Sequence, residues 1–340
     1  MKKILKLGGF FLLVSIISIC IGLCYSSIDT KAYATCEGVY IGGTPIGIVA
    51  KGNALVITQF ISIISNDGAY SPALKAGLQR GDIVTKANGQ KPNDIFQLNS
   101  LIANSTEEIT IEISRNGEKM TFNVKPVYDL TQNVKKIGMQ VKGDLSGIGT
   151  LTYITEDNCY GALGHKICDE FNYSDLYQSG KIYNCSINGF IKGEQGKAGE
   201  LKGKIVYEEN SLGNINKNCL TGLFGKINGD EKKGRAFYKI GTRNSIKSGR
   251  AQIYTSIEND KPQFYDIEIV KTQKQDAICD KGMIIRVTDK TLLEKTGGIL
   301  QGMSGSPIIQ NECIVGAVTH VFISDPTMGY GVYVDWMLAQ

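Results

Sequence analysis

The chain falls into three stretches by its pattern of apolar and polar positions. From Leu7 to Tyr25 almost every residue is apolar and none is charged, a run about long enough to span a bilayer. Between residues 54 and 126 the periods alternate. Ala54 to Ile64 is apolar and β-rich, which predicts a strand. Ser71 to Gly77 predicts a short helix, with Ser71 as cap, Pro72 in the first turn and Gly77 at the left-handed stop. Asp82 to Ala87 predicts a strand ended by Asn88-Gly89. Asp94 is placed to cap a second helix, with Ile95, Leu98, Leu101 and Ile102 on one face. Ile109, Ile111 and Ile113 alternate, Asn116-Gly117 turns the chain, and Met120, Phe122 and Val124 alternate back: a hairpin.

From Ile137 onward, short apolar runs are broken by Gly, Asn and Asp. Gly149–Thr155, Cys159–Leu163, Lys204–Tyr207, Ala251–Ile257, Tyr265–Val270, Met283–Val287 and Ile314–Val321 each predict a strand. No long helical period precedes the C-terminus, so a β-barrel or sandwich is expected. The reading is thus mainly β: a signal peptide or membrane anchor over 1–34, an α+β domain over 36–126, a polar linker over 127–136 and a β-domain over 137–340.

Composition fits this. Among 340 residues, 40 are Gly and only 7 are Pro, which suits tight turns and short strands. The net charge is +4, of which +3 sits in residues 1–34, where Lys2, Lys3, Lys6 and Lys31 outweigh Asp29. The near-neutral remainder argues against nucleic acid as a partner. A basic head, an apolar run and then Ala32-Tyr33-Ala34 form an export signal, so the body is expected outside the cytoplasm, tethered or released. The nine cysteines contain no CxxC pair and are too scattered for a disulfide framework or zinc site; they are expected to be small buried hydrophobes.

The chemistry centres on Gly302-Met303-Ser304-Gly305-Ser306-Pro307. A serine on a tight glycine turn exposes its hydroxyl, and the N–H groups of Gly302 and Ser304 are expected to form an oxyanion hole. This hexapeptide resembles the nucleophile loop of trypsin-like proteases. A serine hydroxyl needs a base, and the chain has two histidines. His165 follows a short strand in a Gly-flanked setting upstream of the serine and is the preferred base. His320, on the strand after the nucleophile, is expected to line the cleft. For the orienting carboxylate, Asp157, Asp169, Asp175, Asp266 and Asp289 all remain open. No metal or cofactor is required.

Two resemblances extend these readings. The run Ser71 to Val84 followed by Asn88-Gly89 resembles a PDZ domain of bacterial proteases, which binds an extended peptide at a sheet edge. The resemblance implies a carboxylate-binding loop near Gly43, Thr44, Pro45, Ile46, Gly47 and Ile48. The C-terminal half resembles the stage IV sporulation protein B (SpoIVB) peptidase family of endospore-forming Firmicutes. The matching runs are Gly161 to His165, Val287 to Leu293, Thr296 to Gln310 and Gly316 to Phe322, with Asp325-Pro326 and Gly329 to Gly331. It implies a trypsin-like β-barrel serine endopeptidase with Ser304, His165 and Asp289 as catalytic residues, Asp289 either orienting His165 or shaping the nucleophile loop. It also implies self-cleavage, a membrane-associated protein substrate between forespore and mother cell, and capture of peptide C-termini or internal strands by the PDZ domain. The rival expectations are an inactive PDZ adaptor and an envelope quality-control protease.

Overall fold

A computed structural model describes residues 37–207, 210–258 and 261–340. The expected membrane segment lies outside these residues. Among them, no helix is long and apolar enough to cross a membrane.

Strand pairing organises the chain into two closed circuits and one separate sheet. In the first circuit Pro45–Lys51 lies between Leu145–Ile154 and Ser179–Ile191. Ser179–Ile191 pairs with Gly213–Cys219, which pairs with Gly222–Ile227. That strand pairs with Cys159–Ala162, which returns to Leu145–Ile154. All six junctions are antiparallel. Ile46, Ile48, Leu151, Tyr160, Ile182 and Leu223 fill the interior, each almost wholly buried. An aliphatic side chain so buried contributes about 1.5–3 kcal/mol.

The second circuit runs from Pro307–Gln310 to Gly249–Thr255, Gln263–Thr272, Met283–Val287, Met328–Tyr333 and Cys313–Val321, and back to Pro307–Gln310. The strands Gly38–Ile41 and Phe237–Ile240 bridge the circuits, the first pairing with Leu145–Ile154 and the second with Cys313–Val321.

The separate sheet has five strands in the order Met139–Lys142, Leu55–Phe60, Ile83–Ala87, Ile109–Arg115 and Glu118–Val124. Its punctuation is as expected. Ser71 Oγ accepts from Leu74 N at the head of the Pro72–Lys75 helix, and Asp94 accepts from Gln97 N at the head of Ile95–Ala103. Asn116 and Gly117 both take positive φ, as a two-residue hairpin turn requires. Asp82, almost fully buried, is held by Arg115 in a two-pronged pair at 2.7 and 2.8 Å.

Two segments fall on the other side of the expected boundaries. Residues 38–51 belong to the circuits, and residues 139–142 complete the separate sheet. The sheet is therefore an insertion between two neighbouring strands of the first circuit. The expected linker carries a small ribbon, Val127–Asp129 against Val134–Lys136.

Candidate active site

The nucleophile loop belongs to the second circuit and is stitched onto the first. Thr150 N donates to Ser304 O at 2.9 Å, Thr150 Oγ1 to Gly302 O at 2.9 Å, and Thr152 Oγ1 to Gly305 O at 2.8 Å. Gly305 has φ of +97°, and a Cβ there would lie 2.1 Å from Thr150 O and 2.5 Å from Leu163 N. Only glycine lets the two circuits close at this point. The buried Ser306 hydroxyl donates to Met303 O at 2.6 Å and ties the far side of the turn. Among the described residues, the N–H groups of Gly302 and Ser304 donate no hydrogen bond.

His165 reaches the loop from the first circuit. It follows two residues with left-handed backbone, Leu163 at φ +67° and Gly164 at φ +71°. Such a conformation at a β-strand end is strained for leucine and is a feature of functional sites. His165 Nδ1 lies 2.8 Å from Lys166 O. A carbonyl only accepts, so Nδ1 carries the proton and Nε2 keeps its lone pair. Burial lowers the pKa of His165; the Lys166 carbonyl and the Asp280 carboxylate pull it back up.

His320 stands beside it, with ring centroids 4.7 Å apart. Its Nδ1 is buried and has no partner among the described residues. Its pKa is pushed down to about 4, first by burial and then by the neighbouring His165, against the pull of Asp280. Ser304, His165 and His320 all line one cleft of about 450 Å³. The Ser304 hydroxyl donates to Thr319 O at 2.6 Å.

The expected carboxylates are elsewhere. Asp289 caps the helix Lys290–Thr296, with Oδ1 accepting from Leu292 N at 2.9 Å and Oδ2 from Asp266 N at 3.4 Å. That helix leads into the nucleophile loop, so Asp289 holds the route to Ser304; none of its hydrogen bonds goes to His165. Asp157 bonds Thr155, Asp169 holds the turn at Phe171 and Tyr173, and Asp266 accepts from Gln252. Asp175 is exposed. None of the five lines the cleft. The carboxylate that acts on both imidazoles is Asp280, which no spacing rule singled out.

The expected peptide loop is corrected outright. Gly43 N donates to Leu151 O and Thr44 O accepts from Leu151 N, while Pro45 pairs with Thr150 and Ile46, Gly47 and Ile48 are paired on both edges. A run apolar on both faces is an interior strand, and no edge is left for a peptide. The groove lies instead between the Ile95–Ala103 helix and the Met139–Lys142 edge strand, a cavity of about 660 Å³. Ile61 N donates to Gly138 O at 3.0 Å, so Met139 opposite Phe60 is a non-hydrogen-bonded pair with its own N–H facing out of the sheet. The buried N–H groups of Ile137 and Gly138 donate to no described residue, and Gly138 has φ of +73°. Successive free N–H groups about a left-handed glycine suit an anion. The apolar-Gly-apolar-x-apolar run Ile137 to Val141 was the sequence signal for it.

Comparison with known proteins identifies the family. The model of the SpoIVB peptidase S55 family matches residues 133–338. The chain belongs to that family. A PDZ domain model matches residues 51–125, so the S55 segment supplies the PDZ sheet's edge strand. A 61-residue stretch is 36% identical to a probable periplasmic serine endoprotease, DegP-like, of Bartonella henselae, covering 17% of this chain and 12% of that protein. A 68-residue stretch is 29% identical to a serine protease Do-like HtrA of Lactobacillus helveticus, covering 19% and 16%. The chain thus spans less than a fifth of these curated relatives. Among solved structures, an HtrA-type protease with a decapeptide superposes with a TM-score of 0.33 at 11% identity, over 59% of this chain and 52% of that one.

Proposed function

We propose that this member of the S55 family is an exported serine endopeptidase of the trypsin-like two-barrel kind that cuts itself and a membrane-associated regulatory protein during sporulation. The observation that carries the catalytic part is the meeting of Ser304 and His165 from separate circuits in one cleft, beside two unspent backbone donors. His165 Nε2 accepts the Ser304 proton once the hydroxyl turns from Thr319 O, the Ser304 oxygen attacks a peptide carbonyl, and the Gly302 and Ser304 N–H groups hold the oxyanion. His165 then gives the proton to the leaving amine, and water repeats the sequence on the acyl-enzyme. The Lys166 carbonyl keeps the tautomer, a task usually given to a carboxylate. Export is supported by the basic head and apolar run of residues 1–25, and the sporulation role by the family.

We also assign the PDZ groove to a peptide with a free C-terminus, its carboxylate on the Ile137–Gly138 N–H groups and its backbone along Met139–Lys142. An inactive adaptor would have no use for an open pair of donors beside a neutral imidazole. A fluorophosphonate probe tests the reading: labelling lost in Ser304→Ala and His165→Ala supports it, and an unlabelled wild type sinks it.

A further inference from the structure

Among the described residues, the cleft lining holds no Asp, Glu, Lys or Arg; its two histidines and Cys168 are its ionisable side chains. Much of its lining is aliphatic, and the chemistry expected of His165 and Ser304 divides that lining between the two sides of a scissile bond. His165 must protonate the leaving nitrogen, so the wall around it, with Leu163, Ile167 and Ile48, faces the residue after the bond. The acyl residue is then left the rest of the lining: Ile299 and Leu300, just before the nucleophile turn, and Val321 and Ile323, on the run that follows His320. Ile299 and Leu300 are buried directly before the nucleophile turn, whereas Ile323 is 64% exposed, a large hydrophobe open to solvent at the rim.

We infer that the acyl subsite takes an aliphatic, uncharged side chain, and that Ile323 is its rim contact. A charged side chain there would lose its water against a lining that itself carries no Asp, Glu, Lys or Arg to pair with it. The inference rests on the serine peptidase reading above. It concerns which peptide bonds are cut, which that reading leaves open.

Peptidyl diphenyl phosphonates that differ only in the side chain next to phosphorus test it directly. The Ser304 oxygen bonds to phosphorus, phenoxide leaves, and the serine proton passes through His165 to the phenoxide. The leucine and valine analogues are expected to label the wild type at least about 50-fold faster than the arginine or glutamate analogues. In Ile323→Asp the arginine analogue should gain at least about tenfold relative to the leucine analogue, through the new counter-charge. Ile323 is exposed, so this variant should fold, and an unchanged melting temperature verifies it. A charged analogue reacting as fast as leucine overturns the aliphatic subsite, and an unchanged ratio in Ile323→Asp overturns the assignment of Ile323. If neither the phosphonates nor a small fluorophosphonate label Ser304, the peptidase reading itself has failed; small-probe labelling with the wrong preference sinks the inference alone.

Discussion

The Ser304 hydroxyl donates to the Thr319 carbonyl at 2.6 Å, one residue before His320 on the same strand. Ser304 is thus parked on the second circuit, while the proposed base, His165, comes from the first. In the proposed mechanism the hydroxyl must leave Thr319 O before it can serve His165, which gives up one hydrogen bond, about 1 kcal/mol.

The two imidazoles should separate cleanly on mutation. His165→Ala is expected to lower kcat/KM by about 10²–10⁴, the usual contribution of a positioned base, and His320→Gln by less than tenfold. Because burial lowers the pKa of His165, activity should persist as pH falls from 7.5 to 6.5. A peptide assay of the two variants across this range checks both statements. Equal losses in the two variants would mean that they work as one unit.

Stability should carry its own pH signature. His320 titrates near 4 in the folded chain against an ordinary 6.5, so between these values the unfolded chain binds more protons. Stability is then full above pH 6.5 and is lost as pH falls towards 4. Allowing for screening of a partly exposed side chain, His320 accounts for about 1–2 kcal/mol of that loss. Urea midpoints at pH 7.5 and 5 should converge in His320→Leu relative to wild type.

Gly305 and Gly302 should differ sharply. At Gly305 an alanine Cβ meets backbone on two sides at φ +97°, so Gly305→Ala is expected to cost about 3–5 kcal/mol. At Gly302, with φ of +99°, the nearest atom is the Leu201 Cβ at 3.1 Å, and Gly302→Ala should cost about 1–2 kcal/mol. Denaturant midpoints of the two variants give the comparison.

These positions show what was legible beforehand. Asn116-Gly117, Ser71-Pro72 and the Asp94 cap act through their immediate neighbours, so local chemistry revealed them. Ser304 and His165 were legible because their motif and scarcity marked them. Residues 45–48 were not, because their partners are strands about a hundred residues away, and nearness in sequence assigned them to the wrong sheet. Asp280 and the Lys166 carbonyl had no signal at all: one acts through space, and the other is backbone.

Asp289 should prove to be a positioning residue. Asp289→Ala removes the cap of Lys290–Thr296 and should cost about 1 kcal/mol. Asp289→Asn, which can still cap, should melt near the wild type and keep kcat/KM within about threefold. A hundredfold loss in Asp289→Asn without a change in melting would place the carboxylate in the chemistry instead.

The groove should read a free carboxylate. A fluorescent heptapeptide ending in valine is expected to bind at least about tenfold more tightly than its C-terminal amide, because the N–H pair at Ile137 and Gly138 recognises charge. Ile95→Asp, on the groove wall, should weaken it further, and Phe96→Ala, 85% exposed and outside the groove lining, should not. Fluorescence anisotropy measures all three; equal affinity for acid and amide would remove the carboxylate from the assignment.

The PDZ sheet should also be separable from the circuits. Its two connections pass side by side: Gly52 N donates to Asp144 Oδ1 at 3.1 Å, and a Cβ on Gly52 would lie 1.7 Å from Gly143 O. They join strands that already face each other, with Ala50 opposite Leu145. Lys51 and Asp144 would therefore flank a two-residue turn without a change of register, and Asn-Gly in place of residues 52–143 closes it. The contacts given up include the exposed Arg80–Glu170 pair, worth at most about 1 kcal/mol, and the Tyr173 hydroxyl on Gly81 O. The shortened chain should fold, label at Ser304 with a fluorophosphonate and fail to bind the heptapeptide. Failure to fold would show that the first circuit depends on the inserted sheet, and that the two connections are more than a hinge.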